Sequence, residues 1–210
     1  EIEAHCVWYE HQLSKAGGYD LVLLGIGRSG HIGFNEPGST LETRTRVVTL
    51  DQVTRRDAAS QFFTEANVPR EAITIGVATI LEANEIIVIA AGEHKAPVVR
   101  RAVEEEPNDE IAATFLQYHS DATVYLDRAA ASELTRSKTP WLVGDVDWND
   151  DWERRAGIWL SRRLHKPILH LDRSDFHANH LHQLAYRYDS IDGLCVRVFE
   201  DLRRRIRYPS

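Results

Sequence analysis

The fold turns on the stretch Tyr19–Thr40, YDLVLLGIGRSGHIGFNEPGST. Its first third is an apolar run ended by glycines, the pattern of a central parallel strand buried on both faces. The remainder carries five glycines, one histidine and an Asn-Glu-Pro sequence. In parallel α/β sheets ligands bind at the carboxyl ends of the strands, and glycine lets the backbone approach a ligand closely. The stretch therefore predicts a sheet and, directly after its strand, a site.

Working outward, strands and helices alternate. EIEAHCVWYEHQLSKAGG (1–18) has helical spacing at Ile2, Cys6, Tyr9 and Leu13, with Gly17 and Gly18 as a stop. RVVTL (46–50) reads as a short strand and LDQVTRRDAASQFF (50–63) as a helix. VPREAITIGVATILEA (68–83) reads as a helix opened by Pro69. NEIIVIAAGEHKAPVVRRAVEEE (84–106) reads as strand, glycine turn and helix. ATVYLD (122–127) is a further strand, with a helix expected over RAAASELTRSK (128–138). This alternation predicts an α/β fold, a Rossmann-like three-layer domain with a mostly parallel sheet. After Lys138 the character changes. TPWLVGDVDWNDD (139–151) reads as a connector and the rest as mainly helical. The expected domains are thus 1–138 and a connector with helical extension over 139–210.

The 210 residues are 43% hydrophobic and 27% charged, as expected of a globular protein with a sizeable core. A formal net charge of -7 repels phosphate backbones, which argues against nucleic-acid binding. No apolar run reaches the roughly 18 residues of a membrane span, so no membrane partner is expected. Cys6 and Cys195 stand far apart, outside any metal-ligand spacing, and read as thiols of a reducing compartment. A cytoplasmic setting follows as the expectation. The chain contains no methionine and opens inside a helical pattern, which leads us to expect a fragment with upstream sequence missing.

Three candidate chemistries meet in the glycine loop. Its GxG is a weak dinucleotide signal, the GxGxxG spacing reads as failing at the third glycine, and no Gly-Lys-Ser/Thr follows, so a nucleotide loop is disfavoured. What remains is His31 with Glu36 five residues on. Histidine moves protons near neutral pH, and a neighbouring carboxylate fixes its tautomer and stabilises its charged form. A turn-capping histidine beside a solvated glutamate is the plain alternative. Lys95, at the start of the helix after IIVIAAG (86–92), is a candidate anion site or an ordinary surface lysine.

DLVLLGIGRSGHIGFNEPGS (20–39), RTRVVTLD (44–51), VPREAITIGVATILEANEI (68–86) and GEHKAPVVRRAVE (92–104) closely resemble glucosamine-6-phosphate deaminase, in the same order and over more than half the chain. The related 6-phosphogluconolactonases follow their Gly-His turn with a Ser-Leu-Phe-Pro type sequence instead. The resemblance implies conversion of glucosamine 6-phosphate and water to fructose 6-phosphate and ammonia, without a cofactor or metal. It implies that His31 is the acid/base of ring opening, that Glu36 supports it, and that Lys95 binds the sugar phosphate. Its partner is then a small sugar phosphate, and the family forms oligomers, so a homo-oligomer is compatible with it. A non-catalytic sugar-phosphate-binding module and a lactonase-type hydrolase are the alternatives.

Three positions depart from the family. Ser29 stands where an aspartate often orients the histidine; it can hydrogen-bond but brings no charge. Gln61 replaces an arginine that contributes to phosphate binding. Val48 replaces a lysine of allosteric members, although Ser39 and Arg46 match their effector-site positions. The family's first strand, Ser-Gly-Gly phosphate loop and the aspartate that moves the C2 proton precede the region matched here, so the 210 residues alone are expected to be inactive. ELTRSKTPWLVG (133–144) and AGIWLSRRLHKPILHL (156–171) resemble the connector of bacterial proteins that fuse a deaminase-like domain to a PIG-L/LmbE-type deacetylase-like domain. His177, His180 and His182, on one expected helix, read as a polar face in preference to a metal site.

Overall fold

The computed structural model of the protein describes residues 1–205. The chain divides into two compact units, 1–134 and 135–210.

The first unit is α/β. Helix α1 spans Ile2–Lys15 and ends where Gly17 takes a φ of 93°. Strands β1 (Leu21–Gly25) and β2 (Arg46–Thr49) follow, then helix α2 (Gln52–Ala58). The Asp51 carboxylate accepts from the Val53 N–H at 2.7 Å and caps α2. Strand β3 (Glu71–Thr74), helix α3 (Val77–Leu81), strand β4 (Glu85–Ala90), helix α4 (Ala96–Glu104) and strand β5 (Ala122–Leu126) complete it. The sheet order is β1-β4-β5, all parallel, with Leu24 opposite Val88 and Val88 opposite Val124. Strands β2 and β3 form a separate antiparallel pair. The core packs Val22, Leu24, Ile86 and Val88 of the sheet against Val77, Ile80, Val98 and Val99 of the helices.

The structure corrects the sequence reading in several places. Among the described residues β1 stands at one edge of this sheet, buried at Val22 and Leu24 but exposed at Leu21 and Leu23. Apolar residue type marked both faces, whereas packing among the described residues covers one. The helix expected over 68–83 is a strand followed by a five-residue helix. The β-branched Ile73 and Thr74 pair with Val47 and Arg46, and this tertiary partner overrides local helix signals. The helix expected over 128–138 is mostly turns: the Ser132 and Leu134 N–H groups bond three residues back, to the Ala129 and Ala131 carbonyls, and only α5 (Thr135–Lys138) is helical. Gly25, Gly27 and Gly30 do stand at dinucleotide-loop spacing, but no helix opens after them. The chain turns instead, with Gly30 at φ 84° and an Ile32–Asn35 bridge, so no helix N-terminus faces a ligand there.

The second unit is helical: α6 (Asp150–Leu164), α7 (Arg173–Ala178), α8 (His182–Tyr186) and α9 (Ile191–Arg205) follow α5. Asn149 caps α6, and Asp172 with Asp175 forms a capping box on α7. Its core joins Leu160, Phe176, Leu184 and Leu194 to Trp141 and Trp148. The segment read as a connector therefore contributes the aromatic part of a core. The expected single helix through FHANHLHQL is broken: His180 has a φ of 62° between α7 and α8, and the His177 ring packs edge-on against Tyr186. Among the described residues no helix is long and apolar enough to cross a membrane.

Candidate active site

The loop after β1 folds back on itself, and its backbone sets the histidine. The Gly27 N–H donates to the His31 carbonyl at 2.9 Å. The imidazole then lies against Gly27 so closely that a Cβ there would collide with all three ring atoms nearest it. Glycine is needed at this position because the ring occupies its side-chain space.

The ring is oriented by three groups on one edge. Its Nδ1 lies 2.9 Å from Ser29 Oγ, 3.2 Å from Glu36 Oε2 and 3.3 Å from Thr54 Oγ1. Ser29 also donates toward Glu36 Oε2 at 3.4 Å. The other Glu36 oxygen accepts the Asp51 N–H at 3.3 Å. Burial pushes the Glu36 carboxyl up, but the bonds from His31 and Thr54, the histidine's charge and the Asp51 N–H outweigh it. The carboxyl ends below its ordinary value. Glu36 is thus an ionised, acceptor-only group at neutral pH, and it is 8% exposed, so water screens it little. With Nδ1 engaged, Nε2 on the opposite edge is the nitrogen left for a ligand.

His31 lines an open cleft of about 380 Å³ together with Gly25, Thr54, Asp57, Gln61 and Lys95. Lys95 is the N-cap residue of α4, after a turn in which Gly92 has a φ of 91°. Its ammonium donates to the Ile26 carbonyl at 2.8 Å. Burial lowers its pKa, with Asp57 acting against and Arg28 with that shift. The cleft therefore brings a proton-transfer group and a cation together at the carboxyl ends of β1 and β4. Thr54 and Asp57 carry no site signal in the sequence beyond a place in the helical pattern of residues 50–63.

Ser39 and Arg46 meet elsewhere in the same loop system. The Arg46 guanidinium donates to Ser39 Oγ at 2.8 Å and to Asn35 Oδ1 at 2.9 Å, and burial lowers its pKa. Asn35 in turn donates to the Ile32 and Ile75 carbonyls at 2.9 and 2.8 Å. This buried network ties the Asn-Glu-Pro segment to β2 and to the chain after β3. Among the described residues no group of three or more His, Cys, Asp or Glu could hold a metal ion.

Comparison with known proteins gives three kinds of match. The family model described as glucosamine-6-phosphate isomerases/6-phosphogluconolactonase covers residues 1–125. A glucosamine-6-phosphate deaminase-like protein of Bacteroides thetaiotaomicron is 42% identical over 98% of this chain and 31% of its own length. Glucosamine-6-phosphate deaminases of Rhodopirellula baltica and Bacillus subtilis are 52% and 45% identical, over 61% and 63% of this chain and 51% and 54% of theirs. A solved monomeric glucosamine-6-phosphate deaminase superposes with a TM-score of 0.62 at 44% identity, covering 63% of this chain and 55% of the other. The chain spans between about a third and a half of the length of these relatives.

Proposed function

Because the chain belongs to the glucosamine-6-phosphate isomerase/6-phosphogluconolactonase family, we propose that its cleft serves the deamination and isomerisation of glucosamine 6-phosphate to fructose 6-phosphate and ammonia. The observation that carries this reading is His31, held at Nδ1 by Glu36 and Ser29 and opening into the cleft that Lys95 lines. The names of the relatives support the substrate class.

The chemistry follows from the ring's two edges. With Nδ1–H donated to the ionised Glu36, Nε2 carries a lone pair. It takes the proton of the anomeric hydroxyl as the C1–O5 bond breaks and returns that proton to the ring oxygen. The adjacent carboxylate stabilises the imidazolium formed in between. Ser29 bridges His31 and Glu36 and holds the ring without adding charge. Lys95 takes the sugar phosphate. Loss of ammonia with uptake of water is the hydrolytic part of the reaction; the aldose–ketose proton transfer needs a further base, which we assign to no residue of this chain. The 210 residues alone are therefore proposed to bind and open the sugar without completing turnover.

Ser39 and Arg46 match effector-site positions of allosteric members, but here they bond to each other. We read them as a brace of the loop. Residues 139–210, of which 206–210 lie outside the described residues, are proposed to be the connector and extension of the branch fused to a PIG-L/LmbE-type domain; the Bacteroides relative, about three times as long, supports this because its identity runs through both units.

The test is a coupled assay of ammonia and fructose 6-phosphate on the full-length gene product. Turnover that His31→Ala abolishes, with binding of an open-chain analogue retained, supports the reading. Sugar-phosphate binding without any turnover would sink the enzyme in favour of a non-catalytic module.

A further inference from the structure

A phosphate monoester carries between about -1.5 and -2 at neutral pH. Among the described residues lining the cleft, Lys95 is the one lysine or arginine and Asp57 the one carboxylate. Those two charges balance each other, so the lining by itself does not neutralise a dianion. The missing charge stands at the rim. Arg28 directly follows the cleft residues Ile26 and Gly27, and its fork engages Asp57 twice: Nη2 lies 2.9 Å from Oδ1, and Nε donates to Oδ2 at 3.0 Å. Both side chains are about half exposed, at 48% and 45%, so solvent screens the pair and holds it weakly. The Lys95 ammonium feels both groups, Asp57 favouring its charge and Arg28 opposing it. The three form one electrostatic cluster.

We propose that Arg28 is a phosphate-binding, specificity-determining residue of this cleft, which Asp57 parks at the rim until a sugar phosphate takes over its fork. The inference rests on the sugar-phosphate reading above and adds a residue to it. A planar guanidinium matches two phosphate oxygens as well as it matches a carboxylate. The dianion offers it more charge than the single carboxylate, and Lys95 stands by to share that charge. Asp57 then has two opposed effects: it pre-orients Arg28, and it repels the incoming phosphate. Gln61, which also lines the cleft, offers hydrogen bonds but no charge.

The two partners of the pair make the proposal testable, because breaking it from either side has different consequences. Calorimetric titrations would use the full-length gene product with glucosamine 6-phosphate, unphosphorylated glucosamine and inorganic phosphate. Arg28→Gln is expected to weaken glucosamine 6-phosphate and inorganic phosphate about 10–100-fold, as for loss of a charge-assisted bond, and to leave glucosamine unchanged. Arg28→Lys, which keeps the charge without the fork, should fall between and guards against a folding defect in the first variant. Asp57→Asn should bind phosphate as tightly as the parent or more tightly. Equal weakening by Arg28→Gln and Asp57→Asn would mean that the pair only braces the loop, and the proposal falls. Undiminished binding by Arg28→Gln overturns it while leaving the sugar-phosphate reading intact. Failure of the parent protein to bind either phosphate ligand overturns both, and is recognised in the parent titration.

Discussion

Glu36 Oε2 lies 3.2 Å from His31 Nδ1 across a turn that separates the two residues by only five positions. The carboxyl is held below its ordinary value of 4.5 by the bonds it accepts, despite burial. A depressed carboxylate stabilises the fold above its unfolded pKa, and that contribution is lost as pH falls through the folded pKa. Glu36→Gln should therefore be less stable than the parent at pH 7, with the gap closing below pH 4.5. Thermal melts of both proteins between pH 7 and 3 check this. In the coupled assay the same variant should lose roughly 100-fold in kcat, within the range for general acid–base assistance, with KM little changed.

Gly27→Ala tests the contact that seats the imidazole. The new methyl would collide with the His31 ring, and the Gly27 N–H is itself bonded to the His31 carbonyl, so the two cannot separate freely. Overpacking of this kind costs about 1–3 kcal/mol, and the ring must move by a sizeable part of an ångström. We expect at least a tenfold loss of kcat together with a lowered Tm. Full activity would show that the ring position is not critical.

These two residues also show what the sequence could reveal. His31 and Glu36 were legible because they lie within one short loop whose glycines and preceding apolar run marked it as a strand-end site. Thr54 and Asp57 were not, because they reach the same cleft from α2, 23 and 26 residues after His31, through a helix whose polar residues look like any solvated face. The same limit explains the fold. β4 and α4 followed from local pattern, whereas β3 needed its partner β2, and the burial of β1 needed knowledge of which face is covered. Trp141 and Trp148 looked like parts of a connector because nothing local announces that α6 and α9 enclose a core beside them.

Ser29→Ala removes a hydroxyl 2.9 Å from His31 Nδ1 and 3.4 Å from Glu36. A neutral hydrogen bond is worth about 1 kcal/mol, so kcat should fall by less than about tenfold. The effect should be smaller than that of Glu36→Gln, and KM should hold. A loss as large as that of Glu36→Gln would make the hydroxyl, not the carboxylate, the main support of the ring.

Lys95→Met should raise KM for the phosphorylated sugar about 10–100-fold, the range for one charge-assisted bond, and leave binding of unphosphorylated glucosamine unchanged. Burial holds the Lys95 pKa below its ordinary 10.5. On the proposed role of Lys95, phosphate affinity should be present while the ammonium is charged and be lost as pH rises through that lowered pKa. The parent KM should therefore climb at alkaline pH before 10.5 is reached, and the Lys95→Met KM should not show that rise.

In the second unit, Glu153 is 3% exposed and accepts the Tyr188 hydroxyl at 2.7 Å. Arg197 bonds the same oxygen, and Arg187 Nε stands 3.6 Å from the other. Glu153→Ala would leave the Tyr188 hydroxyl without its acceptor and the Arg197 guanidinium without its buried partner. Removing one member of a buried ion pair costs about 3–5 kcal/mol; the low end applies here because Arg197 is 47% exposed and water can reach it. Arg154, by contrast, pairs with Asp151, which is 57% exposed, so Asp151→Ala should cost less than about 1 kcal/mol. Four of the five tryptophans, Trp141, Trp148, Trp152 and Trp159, stack or pack edge-on around this core. Denaturant unfolding followed by tryptophan fluorescence therefore reads this unit almost alone. A midpoint shift for Glu153→Ala no larger than that for Asp151→Ala would show that the buried carboxylate is replaceable and that the tryptophan and leucine packing alone sets the stability of residues 135–205.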